Sequence, residues 1–447
     1  MCKRIIKYLL WYAHEHSKFR LAEINSIASM FDIKLSWIEE PSEQPFCLFS
    51  LSSESDARKI MSRCVLGKSL YELWCDSDKI SDVHKRLKNC PKTFLAQYSN
   101  SDQSFRIRIE SFGKKLRKDE KLEKIEEFHY LPFEGPIELT KPDHSFHLIE
   151  YYGLDPNNVP EKPTRIFFGR WICDGQRSMI NKFNLKQRKF IGNTSMDPTL
   201  SLIMANMAKI KKNDFVLDPF VGSGSVFVPA AYFGAYVMGT DIDYLMIHGK
   251  AKPTRYKQKK REPDECIKSN LKQYNLQDRY LDVLVADASL PLWRNQSLID
   301  AVITDPPYGI REASERIGTK KNYVIPTHLI DGHIPSKITY SLQNIIKDLL
   351  NLCAFCLTLG GRLVYWLPVF KEDFKEDCIP SHPCLALISF CEQVLTSHSS
   401  RYLITMEKIF EPQLMDNTDA TVPETTSQFR HKFFQALKNA KDSDHNG

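Results

Sequence analysis

The sequence has little of what marks a metalloprotein or a disulfide-linked scaffold. Its 12 cysteines and 13 histidines are scattered along 447 residues. Cys353 and Cys356 have ligand-like spacing, but they fall in an apolar helical stretch with no second pair beside it. Both thiols therefore read as small buried hydrophobes, and we predict no metal site.

The sequence also lacks long hydrophobic runs, internal repeats and a convincing export signal. The apolar segment 5–12 follows two basic residues and is interrupted from His14 onward, so it is too short for a signal or a membrane span. The spacing of Ile5, Leu9 and Tyr12 predicts a packed amphipathic helix instead. The expected location is the cytoplasm.

A strong charge of either sign is absent as well. The formal net charge is +6, so any binding to nucleic acid must depend on local basic patches. The length and the hydrophobic content of 42% are sufficient for two or three domains with real cores.

The most informative segment present is Asp305-Pro306-Pro307-Tyr308, which follows a short apolar run. An exocyclic base amine is a poor nucleophile because its lone pair is delocalised into the ring. A carboxylate accepting one N–H, with a backbone carbonyl of the proline-fixed turn accepting the other, would aim that lone pair. Tyr308 would stack on the base. The tetrapeptide alone also suits an ordinary turn after a strand.

A glycine turn lies upstream in the order that this chemistry needs. An apolar strand at 215–217 leads into Asp218 and then Gly222 and Gly224, followed by the apolar segment 226–233. Glycines let the backbone approach a ligand closely, and a helix that starts there favours polar or anionic groups. The full Gly-x-Gly-x-x-Gly spacing of a dinucleotide site is missing, so a sulfonium cofactor fits better.

Two further acids complete a series at successive strand ends. Asp241 ends the run 236–240, where an acid binds ribose hydroxyls, and Asp287 with Ala288 follows the run 281–286, where an adenine ring would lie. Together with Asp218 and Asp305 they would share one edge of a parallel sheet built from alternating βα units. A fifth strand at 363–367 follows Gly360-Gly361, which we interpret as the turn that ends a helix over 345–359.

These residues resemble a class I S-adenosylmethionine-dependent methyltransferase of the amino-methylating group. The resemblance is to the eukaryotic tRNA guanosine-10 methyltransferase catalytic subunits, and it is clearest in segments 167–171, 174–177, 190–197 and 361–368. It extends over nearly the whole chain. The resemblance implies direct methyl transfer to the guanine amine. Asp305, Pro306 and Tyr308 would be catalytic. The implied cofactor residues are Asp218, Gly222, Gly224, Asp241, Asp287, Ala288, Thr194 and Ser195.

The first 180 residues are expected to form a separate region of mixed α and β elements. The sequence predicts helices near 20–30 and 55–63 and strands at 105–109 and around 136–139. Segment 133–147 resembles the strand and turn of THUMP domains, RNA-binding modules fused to tRNA-modifying enzymes.

The predicted fold class is therefore α/β, an N-terminal ferredoxin-like and THUMP module before a Rossmann-like methyltransferase domain with a mainly parallel seven-stranded sheet. The expected boundaries are 1–60 for the ferredoxin-like region, 61–180 for the THUMP-like region, 181–410 for the methyltransferase domain and 411–447 for a mobile tail with one short helix.

Candidate RNA contacts are basic residues in clusters or near the domain junction. They are Lys114, Lys115, Arg170, Arg177, Lys259 and Lys260. The loop 311–340 is long for a compact domain and carries Arg311, Lys320 and Lys321. We expect these residues to close over the substrate, and the alternative is that the segment is a mobile insertion.

The resemblance also implies a small zinc-binding activator subunit as partner. An apolar strand such as 236–238 would accept it by β-addition if it lay at a sheet edge. Two alternatives remain open from the residues: an amino-methyltransferase acting on another RNA or DNA base, and a non-catalytic tRNA-binding scaffold.

Overall fold

The computed structural model describes residues 5–290, 292–320, 326–327, 333–412 and 419–444. The chain divides into two compact units. The first comprises Met1–Ile24 and Phe31–Arg177, and the second comprises Asn25–Met30 and Ser178–Gly447. The boundary predicted at residue 180 lies three residues beyond the first unit, whereas no division occurs at residue 60.

The first unit contains a seven-stranded sheet in the order β2-β3-β1-β4-β7-β6-β5, in which only β5 and β6 run parallel. Strands from both predicted N-terminal regions share this sheet. Its strands are β1 Ile6–Tyr12, β2 Ser36–Glu39, β3 Phe46–Leu51, β4 Gly67–Ser77, β5 Phe105–Phe112, β6 His144–Tyr151 and β7 Arg165–Asp174. The helices are α1 Arg20–Met30, which crosses the unit boundary, α2 Glu54–Met61, α3 Ile80–Lys88, α4 Lys92–Leu95 and α5 Lys118–Glu126.

Two expectations for this unit were wrong. The segment predicted as an amphipathic helix is strand β1, which lies between β3 and β4 with Tyr8–Tyr12 buried throughout. A central strand buried on both faces is apolar at every position, so periodicity does not separate it from a buried helix. The strand expected around 136–139 is only an isolated bridge between Phe105 and Ile137.

The second unit contains a seven-stranded sheet in the order β10-β9-β8-β11-β14-β16-β15. The first five strands run parallel and the last two pairings are antiparallel, which confirms the mainly parallel sheet. Its strands are β8 Phe215–Asp218, β9 Tyr236–Asp241, β10 Tyr280–Val285, β11 Ile299–Thr304, β14 Leu357–Phe370, β15 Leu385–Val394 and β16 Ser399–Lys408. A separate hairpin pairs β12 Glu315–Ile317 with β13 Lys337–Thr339.

Helices cover this sheet and build its core. They are α6 Ser178–Lys182, α7 Pro198–Met207, α8 Phe227–Tyr232, α9 Tyr244–Ile247, α10 Ile267–Gln273, α11 Leu342–Cys356 and α12 Thr425–Asp444. Asp197 caps α7 by accepting the amide N–H of Thr199 at 2.8 Å. Cys353 and Cys356 are buried on α11 among leucines, as predicted.

The expected helix end at Gly360-Gly361 was wrong. Helix α11 ends at Cys356, and Gly360-Gly361 lies inside β14, where the register against β11 shifts between Ile299 and Ala301. The glycines therefore form a bulge rather than a helix end. Strand β9 is internal, and the edge strands are β10 and β15, so the condition set for β-addition at 236–238 is not met.

Residues 425–444 form the long helix α12 where one short helix was expected. Helix α12 has 20 residues. Its Phe429 is 1% exposed and belongs to the core cluster that contains residues of α11, β11, β14 and β16. Phe429 and Phe433 are four residues apart and so lie on one face of the helix, which packs against this core. The tail residues 416–418 and Lys321 lie outside the described residues.

Candidate active site

A cavity of about 470 Å³ in the second unit lies at the carboxyl ends of β8 and β11 and is the main cavity of the candidate site. Its walls are the glycine turn after β8, the Asp305–Tyr308 turn after β11, the segment before α7, and residues from α12 and β16. Parallel strands place these turns together because their carboxyl ends share one edge of the sheet.

Asp305 stands in the wall of this cavity, where its carboxylate is held from two sides. Arg401 Nη1 donates to Oδ2 at 3.2 Å, and the Tyr308 hydroxyl donates to Oδ1. Burial raises the pKa of Asp305, while the Arg401 guanidinium and the Tyr308 hydroxyl bond oppose that rise. Arg401 thus favours the ionised carboxylate, the form that accepts N–H bonds.

The two prolines and the tyrosine fix the turn around this carboxylate. Pro306, Pro307 and Tyr308 all line the cavity, and the Pro307 carbonyl accepts the Ser314 hydroxyl at 2.9 Å. The Tyr308 hydroxyl is turned toward Asp305, so in this state the side chain orients the carboxylate. Its predicted stacking on a base stays a prediction.

Asp218 is nearly inaccessible at the end of β8. It is 3% exposed, accepts the Thr304 hydroxyl at 2.6 Å and accepts the Phe220 amide N–H at 2.9 Å. Burial raises its pKa to about 7 despite these bonds. A cationic group bound in the cavity beside it would favour the ionised form.

The two glycines of the turn have different surroundings. Gly222 has φ +52 and open space where a Cβ would stand, and it lines the cavity. Gly224 has φ +71, but a Cβ there would meet the Ile267 side chain at 2.8 Å. Gly222 therefore leaves room for a ligand, while Gly224 permits close packing against α10.

The Asp241 carboxylate organises the turn from the neighbouring strand. Its Oδ2 accepts the Gly222 amide N–H at 2.7 Å and its Oδ1 accepts the Asp243 amide N–H at 2.8 Å. Burial raises the pKa of Asp241, and both amide bonds oppose that rise. Each oxygen keeps further acceptor capacity for a ribose hydroxyl.

Asp287 and Ala288 line a second, smaller cavity of about 40 Å³. It shares Phe220 and Pro307 with the main cavity, and its other walls include Ile242 and Leu349. Asp287 Oδ2 accepts the amide N–H of Ile317 at 2.6 Å, so the β12 strand is tied to this site. The slot has mostly apolar walls and three carboxylates, those of Asp287, Glu315 and Asp348, and this combination suits an adenine ring whose amine donates to one of them.

Thr194 and Ser195, on the segment before α7, lie in the wall of the main cavity. The Ser195 hydroxyl accepts the Gly192 amide N–H at 2.8 Å and is 2.6 Å from the Ser223 hydroxyl in the glycine turn. The Thr194 hydroxyl donates to Glu312. Burial raises the pKa of Glu312.

Sequence reasoning missed Arg401, Glu312 and the aromatic residues Phe429 and Phe433, all in this cavity wall. Arg401 lies on β16 with its Cζ 4.0 Å from the centre of the Trp366 ring, and its Nε donates to Gln393 at 2.8 Å. Arg401 and Asp305 are 96 residues apart, so local spacing carried no signal of the pair.

The predicted RNA contacts have diverse environments in the structure. Arg170 is 14% exposed and pairs with Glu54 at 2.5 Å and Glu72 at 2.9 Å. Arg177 pairs with Glu15 at 2.6 Å.

The four lysines are more available than the arginines. Lys114 and Lys115 line an open groove of about 440 Å³ in the first unit, although Lys114 also donates to the Glu161 carbonyl at 3.0 Å. Lys259 and Lys260 are exposed on the loop before α10.

Within the described part of the chain, no helix has the length and apolar character needed to cross a membrane. The same residues contain no group of three or more histidine, cysteine or acidic side chains arranged to hold a metal ion.

Comparison with known proteins identifies both halves of the chain. Residues 6–177 match the family Tmrp11 THUMP N-terminal domain, and residues 186–322 match the family RMKL-like, methyltransferase domain. The crystal structure of TrmN from Thermus thermophilus is 16% identical, covers 90% of this chain and 100% of its own, and has a TM-score of 0.42.

Two relatives match almost end to end. The tRNA (guanine(10)-N(2))-methyltransferase TRMT11 of Bos taurus is 48% identical over 441 residues, covering 96% of this chain and 95% of its own. The Homo sapiens protein of the same name is 47% identical over 444 residues, covering 96% of each. These matches confirm the predicted family, and the chain belongs to the TRMT11 family of tRNA (guanine(10)-N(2))-methyltransferases.

Proposed function

We propose that this protein transfers a methyl group from S-adenosyl-L-methionine to the exocyclic amine of guanosine 10 in tRNA. The observation that carries the proposal is the cavity in which Asp305 and Pro306 face the glycine turn of Gly222, in a chain of this family. An amine acceptor and a sulfonium donor need these two walls next to each other.

The residues present fit the cofactor. Gly222 combines a positive φ with open space toward the cavity, which a ligand backbone can fill. The slot beside Asp287 and Ala288 suits adenine. The remaining lone pairs of the Asp241 carboxylate can accept ribose hydroxyls, and the Asp218 carboxylate suits an ammonium group. When bound, S-adenosyl-L-methionine supplies an electrophilic methyl group.

The chain itself contributes orientation and exclusion of water. Asp305 accepts one amine N–H and the Pro306 carbonyl accepts the other, which aims the nitrogen lone pair along the transfer direction. Arg401 favours the ionised form of Asp305 and holds its carboxylate in place. Phe429 and Phe433 line the cavity and limit the water that competes for these acceptors.

Transfer of labelled methyl from S-adenosyl-L-methionine to unmodified tRNA, followed by nucleoside analysis, tests the proposal. N2-methylguanosine mapped to position 10 is the expected result. Label in DNA or at another RNA base would overturn the choice of substrate. Failure to bind the cofactor would favour a tRNA-binding scaffold.

We propose a small zinc-binding activator subunit as partner, docked by β-addition on the edge strand β10. This strand exposes Leu281, Leu284 and Val285 by 45%, 52% and 44%, and an unpaired apolar edge is a surface that proteins cover. Leu284→Glu is expected to abolish co-purification with the activator. Leu298→Glu, at a residue that is 62% exposed outside the strands, is the control and should leave it intact.

We propose the cytoplasm as the location, where thiols stay reduced, because the structure pairs none of the 11 described cysteines. Fractionation of cells expressing the tagged chain tests this proposal, and recovery mainly with nuclei would contradict it.

A further inference from the structure

A third and larger cavity, of about 1050 Å³, lies beside the main cavity, which is the catalytic cavity of the proposed reaction. It runs between α12 and the β12–β13 hairpin and begins at Tyr308, which also lines the catalytic cavity. The groove shares Ala313, Glu315 and Tyr340 with the slot proposed for adenine. The α12 residues that line the groove line neither that slot nor the catalytic cavity, so the proposed transfer reaction leaves the α12 side of the groove unoccupied.

Helix α12 presents different residues to the two cavities. Phe429 and Phe433 line the catalytic cavity, whereas Arg430, Phe434 and Lys438 line the groove. The latter three are spaced four residues apart, so they form one row along the helix. The row extends outward from the catalytic turn, because Arg430 Nε donates to the Gly309 carbonyl at 2.7 Å.

The chemistry of the row is that of a surface for single-stranded nucleic acid. Arg430 and Lys438 are exposed cations, and the Phe434 ring is 44% exposed. Among the described residues that line the groove, the one carboxylate is Glu315. Alternating cations and aromatic rings bind phosphates and stack bases with little sequence preference.

The opposite wall adds a further cation at the groove's edge. Tyr340 lines the groove, and Arg316 Cζ lies 5.1 Å from the centre of its ring. A base to be methylated must leave its helical stack to reach a buried carboxylate. Its neighbouring nucleotides then need a surface next to the catalytic turn.

We propose that this groove binds the RNA strand next to the target guanosine, with Arg430 and Lys438 at phosphates and Phe434 stacked on a neighbouring base. The proposal rests on the proposed function, since it names where the substrate strand lies. It makes α12, outside the matched methyltransferase segment 186–322, a substrate-binding element.

The test uses the complex of this chain with its activator and two variants, Phe434→Ala and Lys438→Ala. Neither residue holds the catalytic turn, which is why Arg430 is left intact. The KM for tRNA is expected to rise about tenfold for Phe434→Ala, the loss of one stacked base. For Lys438→Ala the slope of log affinity against log salt should fall by about one. The kcat at saturating tRNA and the affinity for the cofactor should stay unchanged.

Leu437→Ala is the matched control, because Leu437 is on the same helix and is also 44% exposed but does not line the groove. A KM for Phe434→Ala equal to that of Leu437→Ala would overturn the proposal. Loss of the activator with unchanged tRNA affinity would also overturn it, in favour of a protein-binding surface. The affinity for fluorescent tRNA is measured in parallel. If the wild-type chain transfers no methyl group, the proposed function is refuted, and the tRNA affinities of the variants still test whether the groove binds RNA.

Discussion

The two units contain sheets with the same number of strands, but neighbouring strands are mostly antiparallel in the first sheet and mostly parallel in the second. In the first unit, six strand pairs include one parallel pair, so strand ends alternate between two edges. In the second, four consecutive pairings are parallel, so the acids after β8, β9, β10 and β11 come to one edge. Strand direction decides which unit can gather a catalytic site.

Charged side chains also have different partners in the two units: ion pairs in the first, and backbone N–H groups at the catalytic edge of the second. Arginines on the mixed sheet pair across neighbouring elements, as Arg170 does with Glu54 and Glu72. At the catalytic edge, Asp218, Asp241 and Asp287 accept backbone N–H groups, and these bonds shape turns around a cavity.

The sharpest test compares the two ends of strand β11. Asp305→Asn removes the ionised acceptor and should lower kcat by about a thousandfold, in the range of a lost general acid–base group. Cofactor affinity by calorimetry should stay unchanged. Asp300→Asn is the control, since Asp300 accepts the Phe215 amide N–H at 2.8 Å near the opposite end of the strand. Equal loss in both variants would contradict the role of the carboxyl edge.

The second test separates a structural arginine from an exposed one in the first unit. Arg170→Met leaves Glu72, whose side chain is 9% exposed, without its cation and should destabilise β4 and β7 by about 2–4 kcal/mol. Amide hydrogen exchange in these strands measures the effect. Arg117→Met, at a side chain that is 72% exposed, should change it by less than about 0.5 kcal/mol. If Arg170→Met weakens tRNA binding and leaves exchange unaltered, the residue is an RNA contact.

The third test concerns the cation that the antiparallel strand β16 brings to the catalytic edge. Burial raises the pKa of Asp305 and Arg401 opposes that rise, so Arg401→Met should raise the pKa further. The ionised carboxylate is then lost at a higher pH, and the acidic limb of the kcat/KM profile should move toward higher pH. Arg401→Lys keeps the charge and should restore much of the original profile. An unmoved limb in Arg401→Met would exclude this role.

The smallest expected effect is at the groove of the first unit. Changing Lys114 and Lys115 together to alanine should weaken tRNA binding about tenfold and reduce the salt slope by about two, because each phosphate contact releases counterions. The kcat at saturating tRNA should not change. The matched pair Lys259→Ala and Lys260→Ala tests the exposed lysines of the second unit, and equal losses from both pairs would show that RNA binding is not concentrated in the first.

Much of the catalytic edge was predictable because each part is local. A short apolar run followed by an acid marks the end of a buried strand, and four such runs separated by helical stretches predict one parallel edge. The same locality failed at β1 and at Gly360-Gly361. Burial on both faces removes periodicity from Tyr8–Tyr12, and a glycine pair serves a bulge in β14 as well as a helix end.

The sequence by itself determined the order of the catalytic turns, the acids that follow the parallel strands, and the family. Only the tertiary structure decided which charges meet. Arg401 reaches Asp305 through an antiparallel strand, Arg170 is used in ion pairs within its own unit, and α12 lines both the catalytic cavity and the adjoining groove. These contacts join residues far apart in the chain, and their partners depend on strand order and packing, which short-range spacing does not encode.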